Sequence, residues 1–473
     1  MNDLAPRLRA VCDLDIAEVR EYGGRHEYDG LIQDLSPDGV RKGLARLAEV
    51  AGAGEALDDV HDEAHLAAFE NRIRVEFGEL ELYRRNPLPH LSALDRVSAP
   101  VAQALTAGIG GLTAGIPARA PADVAEAARA AHARLAAHIE QAAATGDPDP
   151  ALGGPALAAL MSSAERIEVD LGRLAEQADA ERDRLAARLA ESCAQIDPGR
   201  PALTVARELV RDHPGPDGVL DAARHWTERA IAFTRAHDLV PYHDGECLVG
   251  LAPESRRWAM AMMSAAAPGE PEGPSWYHIT PPDPSWPQRE QEEWLEVFSA
   301  TTLPGITVHE VAPGHFSHGR ALRHAPTTVR RTLHSSAFVE GWAHYAEELC
   351  VEEGFAAGDP RFAIGVWLEA LVRITRLACA IGVHAAGMTV AEGAARFEAD
   401  THLSGPAALS EARRATFDPT YGRYTWGKLE IMKLRDEARR QWGAGFTLSR
   451  FHAALLSLGS PPLGLMGTAI VRG

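Results

Sequence analysis

Alanine is the residue that most restricts how this chain can fold, because it fills 84 of the 473 positions. Alanine is the best helix former and is depleted in strands, so a core built from it favours closely packed helices. Apolar residues recur at helical spacing over residues 121–144, 156–195 and 217–237, whereas strand-like stretches are short, as at 246–250 and 275–280. The sequence therefore predicts an all-α, mainly helical fold with a minor β element.

A stretch rich in proline and glycine ends the second of these helical segments close to residue 200. A boundary there would separate a helical support or lid region, residues 1–200, from a catalytic and metal-binding region, residues 201–473. The length is also compatible with one continuous helical domain.

The charge balance excludes one class of partner. Asp and Glu outnumber Lys and Arg by 66 to 47, which gives a formal charge of −19, and an acidic surface repels nucleic acid. The five cysteines are scattered without a C-x-x-C pair, and the first ten residues lack an apolar segment. These features predict reduced thiols and a cytoplasmic location.

One uncharged span, residues 97–118, is long enough to cross a membrane. Two prolines and four glycines interrupt it, and lost backbone hydrogen bonds are costly in lipid. We therefore interpret this span as a glycine-rich bend between two helices, and we expect no membrane partner.

The chemistry is expected in a histidine-rich segment, which contains His309-Glu-Val-Ala-Pro-Gly-His315 and then Glu340, 31 residues after His309. Imidazole and carboxylate are zinc ligands, and a catalytic site leaves one position open for water. Glu310, next to the first histidine, is placed to take a proton from that water. This layout is typical of a zinc hydrolase.

The spacing of the two histidines is unusual, because the common H-E-x-x-H motif places them four residues apart. A separation of six residues corresponds to about 120° of rotation and about 9 Å of rise on a straight helix, too far for one ion. Pro313 and Gly314 lie between the two histidines. A proline interrupts the helix and a glycine permits unusual dihedral angles, so the insert could swing His315 back towards His309.

Other interpretations of these residues stay open. A His-Glu pair is common on protein surfaces, so the spacing alone does not establish a metal site. His344 lies four residues after Glu340 on the same helical face and could be a ligand or a supporting residue. His318 could be a further ligand or could orient one.

The motifs resemble the domain of unknown function 885 family of bacterial proteins, whose pattern is H-E-x-x-P-G-H-x-x-Q followed by E-G-W-A-x-Y-x-E. Three further stretches are similar to family motifs, and together they extend over residues 275–435: Ser275-Trp-Tyr277-His-Ile-Thr-Pro-Pro282, Arg376-Leu-Ala-Cys-Ala380-Ile-Gly-Val-His384 and Asp418-Pro-Thr-Tyr421-Gly-Arg-Tyr424-Thr-Trp-Gly-Lys428. The resemblance implies a mostly helical, zincin-like metallohydrolase architecture with a central cleft. Some members of the family are proposed metallopeptidases.

Two positions depart from the family pattern. His318 replaces a glutamine, and Ala380 replaces an aspartate. The first change could alter the ligands or their support, and the second removes a carboxylate.

We assign roles on this basis. His309, His315 and Glu340 would bind one divalent ion, Zn²⁺, with His344 and His318 as less favoured ligands. Glu310 is the expected general base, and Tyr424 is the expected donor to the oxyanion. Lys428 is a candidate for a substrate carboxylate, because two of the three lysines of the chain lie near this motif. The remaining candidates for substrate binding are Arg376, His384, Tyr277 and Tyr421.

Three functions compete at this point. The first is a zinc-dependent hydrolase that cleaves an amide or peptide bond in a small peptide or an acylated amino acid. The second is a metal-dependent biosynthetic enzyme, a lyase or a hydrolase of a C–N or C–S bond, acting on a small non-peptide metabolite. The third is a metal-binding or interaction module without catalysis. The partner would be a small molecule or short peptide, and a homodimer is also considered.

Overall fold

A computed structural model describes residues 4–54, 56–87, 90–116, 120–146, 149–257, 259–270 and 273–473 of the chain. The described residues are mainly helical, with one small sheet, as the sequence predicts. Ten helices precede the sheet: α1 Pro6–Cys12, α2 Ile16–Glu21, α3 Pro37–Ala53, α4 Val60–Ile73, α5 Ala99–Ala114, α6 Ala122–Thr145, α7 Gly154–Glu165, α8 Leu171–Ala194, α9 Ala202–Leu209 and α10 Val219–Ala236.

The sheet has three short strands, β1 Cys247–Leu251, β2 Ala261–Ser264 and β3 Ser275–Ile279. The central strand β3 pairs in parallel with β1 and antiparallel with β2, so β2 forms an edge. The two strand-like stretches in the sequence coincide with β1 and β3 to within one residue at either end. Helix α10 and the two helices after the sheet cover one apolar cluster on it.

Eleven helices follow the sheet: α11 Gln288–Leu295, α12 Leu303–Glu310, α13 His315–Arg323, α14 Thr328–Thr332, α15 Ser336–Glu352, α16 Pro360–Ala385, α17 Val390–Asp400, α18 Gly405–Arg414, α19 Arg423–Trp442, α20 Leu448–Leu456 and α21 Thr468–Arg472. The largest apolar core contains side chains from α7 and α8 together with side chains from α15, α16 and α19. This core therefore contains residues from both sides of residue 200, where the sequence suggested a boundary between two regions.

Two local predictions from the sequence are wrong. Residues 99–114 form the helix α5 instead of a bend, because Pro100 occupies the first turn, where its missing N–H costs nothing, and Val101 and Ile109 are buried. Residues 117 and 118 of that predicted bend lie outside the described residues. No helix in the described part of the chain is long and apolar enough to cross a membrane.

The single helix expected over residues 156–195 is divided into α7 and α8. Arg166 ends α7 with a positive φ of 51°, and the side chain of Asp170 begins α8 by accepting a hydrogen bond from the backbone N–H of Arg173. The linker between them contains Ile167 and Val169, whose β-branched side chains favour an extended backbone.

Helices α15 and α19 cross with their backbones in contact at two glycines. An ideal Cβ atom on Gly341 would lie 2.6 Å from Cα of Gly427, and one on Gly427 would lie 1.9 Å from the carbonyl oxygen of Ala337. Any side chain at either position would push the helices apart. This crossing holds Glu340 of α15 close to Tyr424 of α19, which matters for the site described below.

We expect Gly427→Ala to destabilise the protein by about 3 kcal/mol, because its Cβ would meet backbone atoms that cannot move independently. The matched control is Gly108→Ala in α5, where no atom lies within 4 Å of the added Cβ. There alanine should stabilise the helix by about 0.5–1 kcal/mol. Differential scanning calorimetry measures both shifts, and equal shifts for the two variants would contradict the contact.

Candidate metal centre

The chain reverses direction between α12 and α13, and this reversal brings the two histidines together. Helix α12 ends at Glu310 and α13 begins at His315, so the Pro–Gly insert does end the helix. An ideal Cβ on Gly314 would lie 1.9 Å from the carbonyl oxygen of His309, so glycine is required there. The indole Nε1 of Trp342 donates a hydrogen bond of 2.9 Å to the carbonyl oxygen of Pro313. That bond fixes the turn to α15, the helix that contains Glu340.

Three predicted ligands converge across this turn. The Nε2 atoms of His309 and His315 lie 3.5 Å and 3.4 Å from Oε2 of Glu340. One atom from each of the three residues lies within 4.8 Å of the other two. Two atoms bound about 2.1 Å from a tetrahedral zinc ion are about 3.4 Å apart, so the two histidine–glutamate separations fit this ion, and imidazole and carboxylate are ligand types that it takes. A tetrahedral ion held by these three side chains would have its fourth ligand position free for another molecule.

A buried carboxylate supports the first histidine from behind. Nδ1 of His309 lies 2.6 Å from Oε1 of Glu347, and Oε2 of Glu347 accepts a hydrogen bond of 3.0 Å from Arg373. This contact orients the imidazole so that Nε2 faces Glu340, which is the support that metal-binding histidines usually have. Sequence reasoning missed Glu347, although it follows Glu340 by seven residues, two turns along the same helical face.

The protonation of this cluster reflects its excess of carboxylate. Burial and Arg373 disfavour the charged imidazole, but hydrogen bonds to Glu340 and Glu347 outweigh them and raise the pKa of His309 to about 9. Burial opposes ionisation of Glu340, but hydrogen bonds from His309 and His315 hold its pKa well below the ordinary value. The cluster thus favours a positive charge between these side chains, and a divalent cation supplies one.

A cavity of about 640 Å³ opens in front of the three residues and contains the predicted base and donor. Burial, with a smaller contribution from Glu340, raises the pKa of the Glu310 carboxyl, and the two neighbouring histidines oppose this effect. The ring of Tyr424 stacks 6.3 Å from that of His309. The structure therefore brings six of the predicted site residues to one cleft: His309, Glu310, His315, Glu340, Tyr424 and the less favoured ligand His318.

Three guanidinium groups surround the ring of Tyr424. Those of Arg373, Arg376 and Arg423 lie 5.7–5.8 Å from the ring centroid. Burial and then Glu340 raise the pKa of Tyr424, whereas Arg423 and Arg376 lower it. Because the pKa is raised, the phenol stays protonated, and its hydroxyl is available to donate a hydrogen bond to a developing anion.

The opposite wall of the cleft comes from the N-terminal helix α2, which sequence reasoning had treated as support or lid. Glu18, Glu21 and Tyr22 line the cavity, together with the edge strand β2. Glu21 forms an ion pair with Arg256, a further lining residue, at 2.6 Å. The pattern around residues 18–22 carries no recognisable motif, so no sequence signal identified this wall.

Lys428 does not lie in the cleft. It is fully buried, with Nζ 3.2 Å from Oε1 of Glu181 and in contact with Glu348, and Arg184 pairs with both carboxylates. This ion cluster links α8, α15 and α19. The sequence suggested that the ammonium group of Lys428 contacts a substrate carboxylate. In the structure it instead contacts two carboxylates of the chain itself.

The other substrate-binding candidates also have partners within the protein. Arg376 pairs with Glu411 at 2.6 Å, and the hydroxyl of Tyr421 donates to the backbone carbonyl of the same Glu411 at 3.2 Å. Nε2 of His384 lies 2.7 Å from the carbonyl oxygen of Ala415. The buried Tyr277 places its hydroxyl 3.3 Å from Oγ1 of Thr307. The structure does not bring these four side chains into the lining of the metal cleft.

The two less favoured histidines are held apart from the ligand cluster. His318 lines the same cavity, but its Nε2 lies 3.1 Å from Oγ of Ser460. Nδ1 of the buried His344 lies 3.5 Å from Oε2 of Glu347. Within the described residues, the grouping that could hold a metal consists of His309, His315 and Glu340 alone.

Comparisons with known proteins place the chain in a family. Residues 91–470 match the family described as bacterial protein of unknown function, DUF885, and the chain belongs to that family. No curated protein matches the sequence.

Two solved structures are similar to the whole chain. One is described as "a putative lipoprotein of unknown function" from Shewanella oneidensis, with a TM-score of 0.78, 19% identity, and coverage of 99% of this chain and 100% of that one. The other is a "putative lipoprotein" from Colwellia psychrerythraea, with a TM-score of 0.77, 16% identity, and coverage of 99% of both chains. At these identities the likeness shows the shared fold.

The comparisons contradict the predicted cytoplasmic location, because both similar solved structures are described as putative lipoproteins. The prediction relied on the scattered cysteines and on the lack of an apolar segment in the first ten residues, and the structure shows that the cysteines are a weak guide to the compartment. Four of the five are buried and the fifth is partly buried, and burial raises the pKa of the thiols of Cys12 and Cys379 to about 12. Such thiols are protected from oxidation by the fold itself.

We expect Glu347→Gln to weaken zinc binding by 10- to 100-fold, because the amide cannot orient His309 or balance its charge as the carboxylate does. Zinc affinity is measured by competition with a chromogenic chelator. Glu348→Gln is the matched control, since the neighbouring buried carboxylate faces Lys428 and contacts no ligand. That variant should melt at a lower temperature but bind zinc normally, and a similar loss of affinity in both would argue against the assigned support.

Proposed function

We propose that the protein is a zinc-dependent hydrolase that cleaves an amide or peptide bond in a small peptide or an acylated amino acid. One observation carries the proposal: two histidines and a glutamate, whose ligand atoms lie within 4.8 Å of one another, share a cleft with an adjacent carboxylate. His309, His315 and Glu340 would hold the ion, and Glu310 stands beside them. A module that only binds metal would not need the carboxyl group of Glu310 beside the ligands.

A zinc ion bound there would supply Lewis acidity, lowering the pKa of water and polarising a carbonyl group. Glu310 acts as the general base and accepts the proton of the attacking water. Its environment suits this task, because burial raises the pKa of its carboxyl above that of an ordinary glutamate. The same group then delivers the proton to the leaving nitrogen, which makes the amine a better leaving group.

Tyr424 is the residue placed to stabilise the negative charge that develops on the carbonyl oxygen. It lines the cavity next to His309, with the two ring centroids 6.3 Å apart, and its position depends on the glycine contact between α15 and α19. A phenol donor adds stabilisation in the transition state, when the oxygen carries charge, and adds less when the carbonyl is neutral.

The shape of the cleft favours a small peptide over a large substrate. Its volume of about 640 Å³ lies in the range of small-molecule sites. The lining includes Ala261, Met262 and Met263 of β2, which is one of the two edge strands of the sheet. The backbone groups of an edge strand can hydrogen-bond an extended peptide, and this mode of binding suits an amide substrate.

Glu310→Gln should lower kcat/KM by at least 10²-fold while the protein keeps one equivalent of zinc, because glutamine preserves the shape but cannot accept the proton. Activity is assayed on a panel of dipeptides and acylated amino acids, and zinc by elemental analysis. His315→Ala is the comparison, since it should lose the metal and the activity together. Full activity of Glu310→Gln on the best substrate of the panel would refute the general base.

Tyr424→Phe should reduce kcat by 10²- to 10³-fold with a small change in KM, because its hydrogen bond is strongest in the transition state. The matched control is Tyr421→Phe, three residues earlier, whose hydroxyl contacts only the backbone of the protein. This control should cost about 1 kcal/mol of stability and leave kcat unchanged. Steady-state kinetics separate the two variants, and an equal loss of kcat would remove the donor role from Tyr424.

A further inference from the structure

A second cavity, of about 320 Å³, adjoins the metal cleft. Four residues line both spaces: Glu18, His334, Ser336 and Arg423. A molecule bound with its reactive bond at the metal centre therefore has adjacent space for a further group. Nothing in the proposed hydrolysis uses this second cavity.

Apolar side chains form one wall of the second cavity. They come from α7 and α16 and include Leu157, Met161, Leu377, Ala380 and Ile381. Ala380 is the position where the family pattern has an aspartate, and its small side chain leaves room in the cavity. This wall suits a hydrocarbon stem.

The other wall is acidic. Five carboxyl side chains and two guanidinium groups line the cavity: Asp15, Glu18, Glu76, Glu165, Asp418, Arg72 and Arg423. Each arginine already has an aspartate partner, because Arg72 contacts Asp15 and Arg423 pairs with Asp418 at 3.0 Å. The cavity thus holds three more carboxyl groups than guanidinium groups.

Two of the remaining carboxyl groups lack a cationic partner. Glu165 is buried and accepts hydrogen bonds from Oγ of Ser335 and from the backbone N–H of Leu463. Glu18 stands where the two cavities meet, and no described residue forms a hydrogen bond or an ion pair with its side chain. Burial raises the pKa of the Glu165 carboxyl, although its hydrogen bonds and Arg72 oppose this, and the side chain of Glu18 is exposed where the two cavities meet.

We propose that the second cavity is a subsite for a primary ammonium group on an apolar stem, with Glu18 as the residue that recognises the charge. The apolar wall would hold the stem, and the unpaired carboxylate would bind the ammonium group. The inference rests on the proposed function for the reaction at the neighbouring centre, and it specifies the substrate as a small amide or peptide with a lysine-like amine.

The test measures binding instead of hydrolysis, by isothermal titration calorimetry on the full chain. The probes are Nα-acetyl-lysinamide and Nα-acetyl-norleucinamide, which share a four-carbon stem and differ in the terminal ammonium group. We expect the lysine compound to bind at least tenfold more tightly. Glu18→Gln should remove that preference, whereas the control Glu21→Gln should keep it, because Glu21 is already paired with Arg256. Ala380→Leu should weaken both probes by filling the cavity.

Each result decides the matter. Equal affinity for the two probes, no binding of either, or a preference that survives in Glu18→Gln would overturn the subsite. Loss of the preference in Glu21→Gln as well would show that Glu18 is not the residue that recognises the ammonium group. Because the probes need not be cleaved, a preference without any hydrolase activity would reject the proposed function and keep the subsite. Hydrolysis of small peptides without any preference for the lysine compound would keep the proposed function and reject the subsite.

Discussion

The candidate metal centre depends on one steric constraint, the close approach of Gly314 to the carbonyl oxygen of His309. On a continuous helix, two histidines six residues apart point in different directions. The chain instead stops α12, turns back over its end and starts α13, so that both imidazoles face Glu340. Trp342 fixes this turn to α15 through a single hydrogen bond. The ligand geometry is therefore set by backbone packing as much as by the ligands themselves.

Buried charge organises the rest of the site. Three of the four glutamates in helix α15 have separate tasks: Glu340 faces the cleft, Glu347 supports His309, and Glu348 joins the ion cluster of Lys428. Removing one partner from such a buried arrangement leaves an uncompensated charge, which is costly. Arg373 fixes the orientation of Glu347, and Lys428 fixes that of Glu348. Helix α15 therefore has little freedom to rotate or to shift along its axis.

Much of this arrangement could be predicted from the sequence, and the limits have physical causes. The proposed ligands, base and donor lie in short motifs with local spacing rules, and the helical fold follows from alanine content and periodicity. The role suggested for Lys428 was not realised in the structure, because its partner Glu181 is 247 residues away and no local pattern reveals it. The edge strand β2 and the wall formed by α2 were missed for the same reason, since their importance arises only from tertiary packing. The bend expected at residues 97–118 failed because helix packing outweighed the weak propensity of glycine.

The wall contributed by α2 has a consequence for how this protein could change over time. Helix α2 supplies no ligand, base or oxyanion donor, and it lies outside the stretch, residues 91–470, that matches the family. In the proposed hydrolase, substitutions there would alter which molecule fits beside the metal centre while the residues assigned to bond cleavage stay intact. Its reactivity and selectivity would thus be encoded in segments almost 300 residues apart, and new substrates would become accessible through mutations near one end of the chain.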